Sequence, residues 1–292
     1  MNGLQKTIFL LPLSFLVPVS ILSMMSCTKN PVAGDAIIAP DIRQISGRVV
    51  LNDESTPDSV FIWLEGFDLN TRSDKDGQFT LALPLGSETV AQKLSGIYHL
   101  YFYVANYYWE SAIVIVNNGI LLLSRGDVDE KGRLKHKIKL IKILEMKAKT
   151  EPDTITEKYN GIVNVHVSLT ALEEPVIVKF PKISGQALAG AILRNDEGEM
   201  FFIENSGATE RSVIVKDEVS EWDLPIFYKP GIVPIGDYEI VPYILIWQYG
   251  IPEGLLKSIG EDAEGFGPAY LGIPFKRQVG RLTILPEPDQ RM

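Results

Sequence analysis

Few residues in this sequence have the chemistry to act on a ligand, and their spacing narrows that chemistry further. There is one cysteine, Cys27, so neither an internal disulfide nor a cysteine-cluster metal site is available. The three histidines, His99, His136 and His166, are widely separated, whereas a catalytic zinc needs about three protein ligands held together. His99 and His166 sit inside alternating patterns, with Asn164 and Ser168 flanking His166 on the same strand face, so they read as solvated strand histidines. Asp74 and Asp76 followed by Gly77 suggest a calcium loop, but an EF-hand adds further oxygen donors at fixed offsets and a closing glutamate. Asp and Gly also make a hairpin turn, and the turn is the expectation. Glu261, Asp262 and Glu264 are close together, yet carboxylates suit acid–base work only where an apolar pocket raises the pKa of one. No G-x-S-x-G, P-loop or G-x-G-x-x-G motif occurs. The expectation is a protein with no cofactor, no metal and no catalysis of its own. An enzyme would have to assemble its site from loops of the second half.

Aromatic side chains offer a different chemistry. From Tyr98 to Trp109 the chain has seven aromatics in twelve positions. Strand alternation puts Tyr98, Leu100, Phe102 and Val104 on one face and His99, Tyr101 and Tyr103 on the other. If the first face is core, the second presents rings with polar tips. Such a row suits stacking on sugars, and it suits packing against a neighbouring element equally well. Tyr101 and Tyr103, with Phe266 and Tyr270 further along, are the candidate contacts for a glycan. Between Lys131 and Lys149 there are eight lysines or arginines in nineteen residues, and Arg133, Lys135, Lys137 and Lys139 alternate with Leu134, His136, Ile138 and Leu140. A charged strand face discourages edge-to-edge association and could also meet anionic lipid or polysaccharide. Nucleic acid is not an expected partner, because 28 Lys and Arg stand against 37 Asp and Glu, a net charge of −9.

The elements that must position these residues read as short strands throughout. Of 292 residues, 46% are hydrophobic, enough for about two domains with their own cores. Alternating segments bounded by turn residues run over 45–51, 59–65, 78–83, 97–105, 111–116 and 134–143. After a polar, aromatic-free stretch, 147–158, they resume over 161–169, 175–181, 186–194, 200–204, 211–216, 239–249 and 281–285. The expected fold is all-β, two β-sandwich domains over 43–146 and 159–286, with 147–158 as linker and 287–292 as tail. The segment 250–280 reads as a long loop, in which Leu255, Leu256 and Ile259 can form one amphipathic helical turn.

Three resemblances refine this picture. Residues 1–26 carry Lys6 and then an uncharged apolar stretch from Ile8 to Met25, the pattern of a secretory signal. Leu22 to Cys27, with Ser26 before the cysteine, resembles the lipobox of bacterial lipoproteins, although Met24 stands where that family usually has Leu. The resemblance implies cleavage before Cys27 and lipidation of that residue, with 27–42 as a tether. It also implies residence in the bacterial cell envelope, the outer membrane being the expected one. Ile45 to Val49, Val60 to Leu64, Thr71 to Phe79 and Leu83-Pro84 resemble the carboxypeptidase regulatory-like domain, as does the later Val114 to Gly119. That family implies a non-catalytic, transthyretin-like sandwich; Asn106 stands where it has Gly, a change that a left-handed turn tolerates. The His-x-x-Glu pair of its zinc peptidase companion is absent. Pro234 to Tyr238, leading into a strand, resembles the turn of Ig-like and fibronectin-type domains, in which a tyrosine bonds back to the turn. Together these imply a lipid-anchored binding or scaffolding module, its partners being the membrane through Cys27 and an envelope protein or polysaccharide. Replacing Cys27 by Ala is expected to abolish incorporation of radiolabelled lipid and to release the chain from the membrane fraction.

Overall fold

The computed structural model describes residues 43–83, 95–118, 120–183 and 187–288. The expected signal peptide, the tether with Cys27, Pro84, Gly119, Gln186 and the end of the tail lie outside the described residues. The fold is all-β. The first half contributes β1 (Gln44–Leu51), β2 (Phe61–Leu64), β3 (Leu69–Arg72), β4 (Gln78–Ala82), β5 (Gly96–Tyr103), β6 (Glu110–Asn117), β7 (Ile120–Leu121) and β8 (Ile138–Leu140). They make two sheets, β4-β1-β8 and β3-β2-β5-β6-β7. Ile45, Val49, Phe79, Leu81 and Leu140 from the first meet Ile62, Leu64, Leu100, Phe102 and Val114 from the second in one core. The expected strand over 134–143 is ordered as β8 alone, parallel to β1. The turn before β4 links the two sheets rather than closing the expected hairpin, since β3 pairs with β2 and β4 with β1; it forms because Asp74 Oδ1 accepts hydrogen bonds from the backbone N–H groups of Asp76 and Gln78 at 3.0 and 2.8 Å. Gly77 is required there: its φ is +76°, and a Cβ would lie 2.1 Å from the Val49 carbonyl oxygen.

The second half contributes β9 (Leu144–Glu151), β10 (Thr154–Thr156), β11 (Gly161–Ala171), β12 (Val176–Lys182), β13 (Gly190–Asn195), β14 (Met200–Glu204), β15 (Thr209–Val215), β16 (Ser220–Tyr228), β17 (Gly236–Pro242), β18 (Leu245–Trp247) and β19 (Gly280–Leu285). Sheets β16-β11-β9 and β15-β12-β18 and the five-stranded β10-β19-β17-β13-β14 close over Met146, Val165, Val167, Phe180, Leu193, Leu224, Ile226, Ile240 and Ile284. The stretch expected as a linker is instead largely strand. β9 alternates buried and exposed residues and pairs along its whole length with β11; its lysines face out while Met146, Ala148 and Thr150 face in. Tyr238 sits as its resemblance implied, its hydroxyl donating to the Pro234 carbonyl at 3.0 Å. Within 250–280 the chain forms α1 (Glu253–Ile259) and a 3-10 helix over Pro268–Gly272.

The two sandwiches are joined through a third apolar cluster. β2 is buried on both faces: Ile62 and Leu64 point into the first core, while Phe61 and Trp63 point out of it, beside Tyr103 and Ala105. The 250–280 excursion covers that outer face with Leu255, Ala263, Tyr270 and Ile273, and Ile192 and Val241 of β13 and β17 close it from the other side. Burying each large side chain contributes on the order of 2 kcal/mol. Gly254 permits the close approach of α1, since a Cβ there would lie 2.8 Å from the Trp63 ring.

Polar ties hold the same seam. Asn106 is fully buried. Its side-chain amide donates to the carbonyls of Leu144 and Lys276 at 3.0 and 2.7 Å and accepts from the Lys276 N–H at 3.0 Å. Its own carbonyl accepts from the Ile143 N–H at 2.9 Å. Asn106 is not among the residues with positive φ, so what it supplies is this amide rather than a left-handed turn. Asn106→Ala strands buried carbonyls and an N–H without partners, and each such group costs about 1–3 kcal/mol. The expected result is a loss of about 2–4 kcal/mol in urea unfolding.

Candidate functional site

The four aromatic candidates fall at the seam rather than on a free surface. Alternation along β5 is as expected, with Leu100 and Phe102 in the first core and Tyr101 and Tyr103 on the opposite face. That opposite face is covered: Tyr103 is 2% exposed and Tyr270 1% exposed, so neither can present a ring to a ligand. Tyr101 and Phe266 are half-buried against the same cluster. Tyr101 stacks on Trp63 at 5.8 Å and meets Trp109 edge-on at 5.7 Å, and Phe266 packs against Tyr243 at 5.1 Å. The Tyr270 hydroxyl is used inside the fold, where it accepts from the Ile244 N–H at 3.1 Å and from Arg277 at 2.9 Å. Tyr243 donates to the Glu264 carbonyl, and burial, with nearby Tyr270 and acidic groups, pushes its pKa up to about 12.

The exposed rings lie elsewhere. Trp247 at the end of β18 is 47% exposed and Tyr249 87% exposed, with ring centroids 6.5 Å apart. Trp247 borders a cleft of about 470 Å³ whose walls also include Gln248, Glu253, Leu256, Glu261, Asp262 and Glu264. The structure therefore does gather the three clustered carboxylates at a concave site, with Glu253 and its ion-pair partner Lys257 at 2.9 Å. All four carboxylate residues are solvent-exposed, which is not the apolar setting that converts a carboxylate into a general acid. Gln248 ties the cleft to the first half, its amide donating to the carbonyls of Ala105 and Tyr107 at 2.7 and 2.9 Å. Trp247 alternates away from buried Ile246 within β18, and Tyr249 follows in the turn beyond it, so the sequence pattern holds both as outward aromatics.

Among the described residues, no group of three His, Cys, Asp or Glu side chains is arranged to hold a metal ion. His166 lies on the outer face of β11 with Asn164 and Ser168, its Nδ1 2.8 Å from Asp223 Oδ1 across the ladder. Lys131, Arg133, Lys135, His136, Lys137 and Lys139 are all exposed, with Lys135 bonded to the carbonyls of Ser124 and Gly126. Among the described residues, no helix is long and apolar enough to cross a membrane.

One charged group of the basic stretch is buried. Lys142 lies where the chain passes from the first core to the second, 3.0 Å from Asp53 Oδ2 and 2.5 Å from Glu145 Oε2, and Tyr107 donates to Asp53 Oδ1 at 2.8 Å. Burial acts to raise the Asp53 pKa, but hydrogen bonds from Tyr107, Lys142 and Ser55 outweigh it and hold the carboxyl below its ordinary value. Burial likewise acts against the Lys142 charge and is outweighed by Glu145 and Asp53, so that pKa rises. Burial comes first in raising the Tyr107 phenol, with the Asp53 charge adding to it. The arrangement is an ion cluster at the crossover between the two cores.

The linkage follows from these directions. A depressed Asp53 contributes stability above its unfolded value near 3.8 that is lost as pH falls through the folded value. A raised Lys142 contributes below about 10.5 and is lost as pH rises through its folded value. Urea midpoints measured below pH 4 are expected to fall less steeply with pH in Asp53→Asn than in the parent chain. Lys142→Met, which leaves two carboxylates without their partner, is expected to cost about 2–4 kcal/mol at neutral pH.

No protein-family model matches the chain, and no curated protein matches it. Among solved structures, the chain is similar to the major pilin subunit BcpA of Bacillus cereus, at 13% identity and a TM-score of 0.22, over 68% of this chain and 63% of the pilin. The chain therefore spans less than two thirds of that protein's length.

Proposed function

We propose that the protein is a non-catalytic module of the bacterial cell envelope, anchored to a membrane by lipid on Cys27 and serving as a binding or scaffolding body. The observation that carries this reading is the seam. An aromatic row that looks like a ligand platform is spent on fixing two sandwiches to each other, and the carboxylates gathered beside Trp247 stay solvated. The first sandwich is read as carboxypeptidase regulatory-like and the second as Ig-like, the latter supported by the Tyr238-to-Pro234 hydrogen bond. Purification of the tagged chain from native membranes under mild detergent is expected to bring down a stoichiometric envelope partner. Recovery of a turned-over small molecule instead would sink the scaffolding reading.

A second reading, a glycan-binding module, has its own support in Trp247 and Tyr249. Two neighbouring exposed rings beside a cleft of carboxylates combine stacking surface with acceptors for sugar hydroxyls. If glycan is the ligand, Trp247→Ala is expected to weaken binding of neutral oligosaccharides at least about tenfold, on the scale of a lost aromatic contact. Tyr101→Phe is expected to leave that binding unchanged.

A further inference from the structure

The seam between the sandwiches opens into a second kind of cleft, of about 340 Å³, with side chains from both halves in its walls. Asp58 and Arg72 come from the first half, and Arg194, Glu239, Lys276 and Arg277 from the second. An adjoining cleft of about 550 Å³ shares Glu239, Arg277 and Val279 with it and adds Arg281. The adjoining cleft also holds Lys149 and Asp153, while Asp58 and Glu239, the two carboxylates of the first cleft, are already engaged. Lys276 Nζ lies 2.7 Å from Asp58 Oδ1 and Arg194 lies 2.7 Å from Glu239 Oε2. Glu239 is also the cross-strand partner of Arg281, so one acid stands between two guanidiniums.

Arg72 and Arg277 are held by other means. Arg72 donates to the carbonyls of Ser59 and Gly272 at 3.3 and 2.7 Å and lies over the Phe61 ring. Arg277 donates to the Tyr270 hydroxyl at 2.9 Å and lies over the Phe275 ring, 4.5 Å from its centroid. Neither guanidinium has a carboxylate in ion-pair range among the described residues. A chain of net charge −9 thus concentrates unanswered positive charge in one concave place, against walls that include Leu271, Ile273 and Phe275.

We propose that this cleft is an oxyanion-binding site, taking a carboxylate or phosphate group between Arg72 and Arg277. A guanidinium carries five N–H donors in a planar fork, and the contacts above leave several of them unused. That fork matches carboxylate and phosphate oxygens, and rings and carbonyls that fix the two side chains reduce what must be ordered on binding. The inference extends the binding-module reading by giving the ligand a charge, and it stands independently of lipid anchoring.

The test is calorimetric titration of the full chain at low ionic strength with inorganic phosphate and, separately, with an oligogalacturonate, whose carboxylates are carried on sugar. Saturable binding of at least one is expected, weakening as salt is raised. Phosphate alone would identify a phosphorylated ligand, and oligogalacturonate alone an acidic glycan. Arg72→Gln, an exposed position, is expected to weaken binding at least about tenfold, the scale of one charge-assisted contact. Arg277→Lys keeps the charge and loses the fork, and is expected to weaken it too, with melting curves confirming that both variants fold. Failure of both probes to bind, or equal binding by the parent and Arg72→Gln, overturns the proposal. A Cys27→Ala chain that escapes the membrane yet still binds separates the fate of this site from that of the anchor.

Discussion

A strand that is apolar on both faces needs cover on both, and β2 imposes that requirement on this molecule. Phe61-Ile-Trp-Leu64 has no polar side to offer solvent, so the five-stranded sheet containing it cannot be an outer layer. Leaving Phe61, Trp63 and Tyr103 in water would expose a contiguous apolar patch of the kind that drives association. The fold answers by sending 250–280 out of the second sandwich and across that sheet. The excursion is long because it must reach the other half, and its two short helices are apolar on the sides that face the seam. Asn106, Gln248, Lys276 and Arg72 then supply the hydrogen bonds that an apolar contact alone would leave undirected.

Much of this was readable from residue order, and what was not has physical causes. Period-two alternation located the first core face, so Leu100 and Phe102 could be placed before any coordinate. Local turn chemistry at Asp74 and Gly77 and the back-bond of Tyr238 were equally legible, because each depends on residues a few positions apart. β16 is hard to read from residue order because Pro225 and four nearby acids break up a pattern whose inward residues, Trp222, Leu224, Ile226 and Tyr228, nonetheless alternate correctly. Proline is tolerated near a sheet edge. The 147–158 stretch reads as linker for a similar reason. Lysines and a Glu-Pro pair look like linker composition, yet every second residue of β9 faces outward, while Leu144, Met146, Ala148 and Thr150 are buried.

The candidate site was less legible than the fold. Local sequence shows that Tyr101 and Tyr103 share a face but not what lies on it, which is fixed by residues some 150 positions later. The same blindness applies to charge. Arg72 and Arg277 are unremarkable in sequence and become a pair only when the halves meet. By contrast Trp247 is legible, because alternation in β18 turns it away from Ile246.

The crossover between the sandwiches is short. Leu140 belongs to the first core and Leu144 to the second, and the three residues between them include Lys142 with its carboxylates. A chain with a long flexible connector would lose interdomain freedom whenever a ligand bridged its halves, and part of the binding energy would be consumed in that ordering. Here that freedom has been surrendered already, during folding. Clefts formed between the halves are set in shape before any ligand arrives, and ligand selection at the seam becomes a matter of fit to a fixed outline rather than of closure around the guest.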